Sequence, residues 1–565
     1  MRETFRLSMA YIHTWLGLVL GFVLMICFFF GSLSVFDREI DQWSVPETRA
    51  QAAPLPSFDR IIQPLISQIQ PDPESVEHAA AEVFGPLPAT RDLPLADVYV
   101  GTNHRDPLIR LYGTYDVPNK PKNAAVDHVH IYGYAAINPQ TGERLPTELE
   151  ERLALGTGFF FPLHFMLHLE WKDLGIWIVG LAGIAMLVAL ISGVVIHRRI
   201  FREFFTFRPE KARLRSVLDL HNMTGVLALP FLFVITLSGL LIFAGFYLPS
   251  IDRLMKPTVD AQLAVESDRT GLSLEAAGRP GGLASVDRMM AEAEARWAAQ
   301  GVPGRVGYVQ VIHLGDANGY VSIGRDNVDR VATAEALHFD ADTGRLIYEN
   351  PPTPVIEAVH GFLYGLHFQF FKHWLLRWLL FAGGLIGCAC IATGFLFFVE
   401  KRKKKHAATN SQGARIVDSL AVAAVTGMLV ATTSLLLANR LLPTGIPSHD
   451  TWQTSIFWLV WLATLGHALL RSGPVATGGV SSAWAEQAWA AAALAVAAVV
   501  ANWVTTGDHL IATIGAGYWP VAGVDLVLLG GAVAAGLTAR RLGRRAAGPT
   551  APKARRGSKP DAVHV

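Results

Sequence analysis

The sequence predicts a membrane all-α helical bundle of about eight transmembrane helices, with two small α+β domains on one side of the bilayer. Composition is the first reason: hydrophobic residues make up 51% of the 565 positions and charged residues only 17%, and the mean hydropathy is positive. Soluble globular chains rarely show that balance. The second reason is patterning, because apolar runs long enough to cross a hydrocarbon layer of about 30 Å recur along the chain. Two long polar insertions interrupt them.

The runs lie near residues 11–36, 175–196, 217–247, 375–399, 417–442, 456–470, 484–504 and 521–537. The first is read as a retained helix, since it is long and no small-residue cleavage pattern precedes Asp37. Lysine and arginine near helix ends stay on the cytoplasmic side and so set the orientation. Arg2 and Arg6 precede the first run, a basic stretch from His197 to Arg215 joins the second to the third, and five basic residues from Lys401 to Lys405 follow the fourth. The tail from Arg540 to Lys559 is also basic. Both termini are therefore expected in the cytoplasm, with both insertions on the opposite, periplasmic side. The organisation reads as span 1–36, periplasmic domain 37–161, span 162–200, cytoplasmic loop 201–216, span 217–247, periplasmic domain 248–356, span 357–400 and cytoplasmic loop 401–416. A four-helix membrane extension, 417–541, and a basic cytoplasmic tail, 542–565, follow. The net charge of +1 gives no global basic field, and the basic clusters need no nucleic acid to explain them.

Within the insertions, helical and strand periods alternate. Residues 285–299 are amphipathic, residues 305–314, 319–323 and 336–339 alternate, and Asx-Thr-Gly turns lead to a final strand. The first 400 residues also look like one unit written twice, with an offset of about 200. His13-Thr14-Trp15-Leu16-Gly17 is echoed by His221-Asn222-Met223-Thr224-Gly225, and Asn138-Pro139-Gln140-Thr141-Gly142 by Asp340-Ala341-Asp342-Thr343-Gly344. Leu167-His168 pairs with Leu366-His367, and Ser192-Gly193 with Thr393-Gly394.

Histidines at membrane helix ends carry the chemistry. An ionisable group there is costly and marks a functional site, and two neutral imidazoles from facing helices can saturate a haem iron for electron transfer. If the halves pack about a pseudo-twofold axis, His13 opposes His221 near the cytoplasmic face and His168 opposes His367 near the periplasmic face. These four are the expected axial ligands of two haems. His164 lies one turn from His168 and is an alternative ligand, a propionate contact or a substrate ligand. His197, whose counterpart in the second half is Phe398, and His360 are further cofactor-binding candidates. A continuous helix from His168 to His197 would span ~43 Å, which puts the outer haem at or above the interface. Gly17, Gly225, Gly175, Gly183, Gly383 and Gly384 offer close approach for a macrocycle or a neighbouring helix. Cys27, Cys388 and Cys390 all fall inside spans and no Cys-x-x-Cys-His motif exists, so any haem is non-covalent. His467 and His509, in the extension, read as structural or interface residues.

His13-x-Trp15-Leu16-Gly17, the Leu-His pairs and the Ser/Thr-Gly ends resemble the PepSY-associated transmembrane family over about residues 5–400, and within it the FoxB-type siderophore reductases. That resemblance implies two PepSY-like periplasmic domains and two haem b groups. It also implies reduction of iron delivered as a ferric siderophore, and it favours His13, His168, His221 and His367, with His164, His197 and His360 next. The sequence carries no Walker loop, nucleotide fingerprint or His-Glu-x-x-His motif, so the electron donor is another molecule, a quinol or a cytoplasmic reductase. Two rival readings are a transporter of iron chelates and a haem-free adaptor whose periplasmic domains bind protein.

Overall fold

The computed structural model describes residues 3–49, 53–103, 106–122, 128–145, 154–197, 213–326, 328–332, 335–351, 353–409, 412–443, 445–471 and 481–546. Seven helices among them are long and apolar enough to cross a membrane. The pair Glu3–Val19 and Gly21–Ser34, bent by 61°, makes an eighth if it is one broken span. The chain divides into two compact units, one of Met1–Leu16, Ile26–Arg198 and Gly225–Cys388, the other of Gly17–Met25, Arg199–Thr224 and Ala389–Val565.

The first unit contains both insertions, and they join. Strands β1 (Gln70–Pro71), β2 (Leu95–Asn103), β3 (Asp106–Val117) and β4 (Val129–Ile137) come from the first; β5 (Val306–Ile312), β6 (Tyr320–Arg325), β7 (Ala336–Asp340) and β8 (Leu346–Glu349) come from the second. They form a single antiparallel sheet in the order β1-β4-β3-β2-β5-β6-β7-β8. The seam is β2 against β5, with Val98 opposite Val311 and Val100 opposite Val309. The two α+β units expected from the sequence are thus present, fused edge to edge.

Period-two patterning gives this sheet one core face: Val98, Val100, Leu111, Ile131, Val309, Val311, Ile323 and Phe339 are all buried. Helix Val286–Ala299 covers it with Val286, Met289, Ala293 and Trp297, an i, i+3, i+7, i+11 stripe. The insertions also cap one another. Ser285 Oγ and the Val286 N–H donate to Asp59, while Ser57 Oγ and the Phe58 N–H donate to Asp287, so two Ser-x-Asp segments clasp reciprocally.

In the second unit, Gln412–Val422, a π-helical turn and Met428–Leu441 make one span whose apolar window is 72% buried, the most enclosed of the spans. His467 is committed on both ring nitrogens, to Gln487 and to Glu486, and His509 caps the helix Leu510–Gly515. Both act within the extension's own hydrogen bonding.

Candidate functional site

The helix ends expected to hold cofactor are built by breaks in the chain. Helix Leu174–Ile196 does not continue back through His168: Leu167, His168, Lys172 and Asp173 all take left-handed backbone angles, and the chain doubles back so that Gly175 meets the Met166 carbonyl. The ~43 Å length that a continuous helix from His168 to His197 would have does not apply for that reason. The second half breaks at the matching place, where Gln369, also left-handed, ends Val355–Phe368 before Trp374–Thr409 begins. The segment before the first break is anchored from below. Asp41 accepts from the Gly156 and Thr157 N–H groups at 2.8 and 3.1 Å and from Thr157 Oγ1 at 2.6 Å. Burial pushes its carboxyl up to about 6 against the pull of Arg38 and Thr157.

These breaks bring His164, not His168, opposite His367. The two rings stand 6.1 Å apart, centre to centre, at 30°. His164 Nδ1–H donates to the Cys27 carbonyl at 2.7 Å. Ser238 Oγ–H donates to the Ile235 carbonyl, so its oxygen accepts from His367 Nδ1–H at 2.9 Å. Both imidazoles are thereby held in the tautomer that leaves Nε2 bare. His168 takes the opposite tautomer: its Nε2–H donates to the Phe159 carbonyl at 2.9 Å and its ring stacks on Phe159. Its Nε2 is thereby spent within its own loop.

His13 and His221 repeat the productive arrangement. His13 Nδ1–H donates to the Ala189 carbonyl at 2.9 Å, with Ser192 Oγ at 3.3 Å. His221 Nδ1–H donates to the Cys390 carbonyl at 2.8 Å, with Thr393 Oγ1 at 3.5 Å. The Ser-Gly and Thr-Gly ends of the repeat are therefore what orient these rings. Each of the four histidines also packs on a glycine. A Cβ at Gly31 would fall 2.7 Å from the His164 ring, at Gly239 3.1 Å from His367, and at Gly193 and Gly394 3.3 Å from His13 and His221. The sequence reading missed Gly31, Gly239, Gly193 and Gly394 as ring-seating positions, although two of them end its own repeat motif. Of the glycines it proposed, Gly183, Gly383 and Gly384 meet Leu240, Phe231 and Ser32 instead. His197 follows helix Leu174–Ile196 as its cap, and His360 sits exposed on Val355–Phe368 against Tyr364.

A neutral imidazole with its Nδ1 proton donated to a carbonyl or hydroxyl is a prepared metal ligand. Two such rings on opposite sides of one iron, each bonded at about 2 Å, stand roughly 6 Å apart centre to centre. The spacing of His164 and His367 fits that requirement, as do the absent side chains beside both rings. The sequence profile of the PepSY-associated TM region family matches residues 10–401. The chain belongs to that family. The matched region contains all four seated histidines and both insertions, so the PepSY-associated TM unit ends before the extension. Protein PA4219 of Pseudomonas aeruginosa PAO1, described as uncharacterized, is 28% identical over 324 residues, covering 53% of this chain and 77% of its own length.

Proposed function

We propose that this multi-pass membrane protein is a di-haem b electron carrier of the FoxB-like type, which reduces periplasmic ferric-siderophore iron to the ferrous state at a bacterial inner membrane. The observation that carries the reading is the pair His164 and His367, whose ring centres lie 6.1 Å apart with both Nδ1 protons donated away. Haem bound there would supply one-electron redox chemistry. The protein's own part is to present Nε2 from two breaks in related helices, to leave ring-sized gaps at Gly31 and Gly239, and to keep both imidazoles from turning. Held by both imidazoles, a haem iron would have no open position, which suits electron transfer over oxygen binding. By the sequence repeat, His13 and His221, each seated in the same way within its own unit, are the candidate ligands for a second haem nearer the cytoplasmic face.

Reduction alone serves the biological purpose. Hard oxygen donors hold ferric iron tightly, and the softer ferrous ion is released without hydrolysis of the chelator. One electron per iron must come from a quinol or a cytoplasmic reductase. The test is a reduced-minus-oxidised visible spectrum of the purified full-length protein, with haem counted per chain. Two b-type haems, reoxidised on adding a ferric siderophore, are expected; protein made with ample haem supply that carries no porphyrin ends the proposal.

A further inference from the structure

The two halves seat equivalent histidines with one chemical difference. His13 packs against Ala189 and Ser192, whereas His221 packs against Cys390 and Thr393. Cys390 Sγ lies 3.7 Å from His221 Nδ1 and 3.8 Å from the His221 carbonyl oxygen. The thiol proton donates to that carbonyl, so the sulfur lone pairs are left to face the ring N–H. The Thr393 hydroxyl proton is likewise committed, to the Ala389 and Cys390 carbonyls at 2.7 and 2.8 Å, and its oxygen can only accept from the ring. His221 Nδ1–H therefore meets three acceptors: a carbonyl, a hydroxyl oxygen and a polarisable sulfur. The corresponding position in the first half, Ala189, contributes only its carbonyl.

We infer that Cys390 is a positioning and tuning residue for the His221 ligand, one that raises the electron-donating power of this imidazole and so favours the ferric state of the haem it binds. The inference rests on the haem reading above. More acceptor strength at Nδ1–H gives the ring more imidazolate character, which strengthens the Nε2 donor and stabilises the higher charge on iron. No covalent change at sulfur is involved. The thiol acts by its place beside the ring, in a segment where a smaller residue leaves the carbonyl contact intact.

The experiment is an optical redox titration of the full-length protein, with haem counted in each variant. Removing the sulfur in Cys390→Ala should leave two haems bound and make one of them easier to reduce. An outer-shell partner changes ligand strength by roughly tenfold at the low end, or about 59 mV for a one-electron couple. Cys390→Ser, which keeps an acceptor of shorter reach, should fall between Cys390→Ala and the wild type, and it carries the test if the alanine variant loses haem. Cys388→Ala, two residues away on the same helix, should leave both midpoints unchanged. Retained haem with unmoved midpoints in both Cys390 variants overturns the inference and leaves the haem reading standing. So does an equal shift in Cys388→Ala. A wild-type protein without haem fails the reading itself and is recognised before any variant is made.

Discussion

Four histidines in this chain share one preparation, a donated Nδ1 proton and a glycine beside the ring, and a fifth, His168, lacks it. That contrast gives the sharpest residue-level prediction. His164→Ala and His367→Ala should each lower haem content from two per chain to one, and the lost haem should be the same one in both. His168→Ala should keep both haems; loss on that substitution with retention in His164→Ala would restore the alternative pairing. Gly31→Leu belongs to the same test, because its Cβ alone would sit 2.7 Å from the His164 ring and the ring has no free direction to yield while Nδ1 holds the Cys27 carbonyl. It should cost the same haem with the histidine still present. The correct partner of His367 was legible in the sequence by a longer match. Leu163-His164-Phe165 repeats as Leu366-His367-Phe368, whereas Leu167-His168 shares only two residues with it. What no pattern displays is the left-handed turn at Leu167 and His168, which decides where each ring points.

At the scale of elements, spans are legible because crossing a bilayer demands about 20 apolar residues in a row, a local property of the chain. The fused sheet is not, because β2 and β5 pair across some 200 residues through backbone atoms that any sequence supplies. The clasp beside it offers a test of that fusion. Asp59 and Asp287 each accept two hydrogen bonds from the other insertion, and losing a cap of this kind costs about 1 kcal/mol. Asp59→Ala and Asp287→Ala should each lower the stability of both insertions together, measured by protection of β2 and β5 amides against hydrogen exchange. Loss confined to the mutated insertion would mean that the seam is not cooperative. Asp316 sets a pH dependence of known sign. The Asn318 N–H, followed by those of Ala277, Gly278 and Arg279, holds its carboxyl below the usual carboxylate range. Stability from a depressed carboxyl is fully present above its unfolded value and is lost as pH falls through the folded one. Protection of the Ala277 and Arg279 amides, corrected for intrinsic exchange, should therefore fall in acid below the ordinary aspartate range, and Asp316→Asn should flatten that fall.

For the whole molecule, the shared sheet constrains topology more firmly than charge counting does. Because β2 and β5 hydrogen-bond, both insertions must emerge on one face of the membrane, and an even number of crossings must separate them. The spans Trp171–Ile196 and Leu214–Ile242 supply two. The bent pair Glu3–Val19 and Gly21–Ser34 counts as one crossing if the basic residues Arg2 and Arg6 ahead of it stay on the face opposite the sheet, as charge predicts. Charge counting predicts that the face opposite the sheet is the cytoplasm, and that the basic end of the last span lies there too. Tyr132, on the non-core face of β4 and 61% exposed, and Gly543, at the end of the last span, are therefore expected on opposite faces. Tyr132→Cys should react with a membrane-impermeant maleimide in spheroplasts, whereas Gly543→Cys should react only after the membrane is opened. Cys27, Cys388 and Cys390 lie among the spans and give little background in the wild type. The reverse labelling pattern would place the sheet in the cytoplasm, away from any periplasmic iron chelate, and the reductase proposal would lose its substrate even with both haems in place.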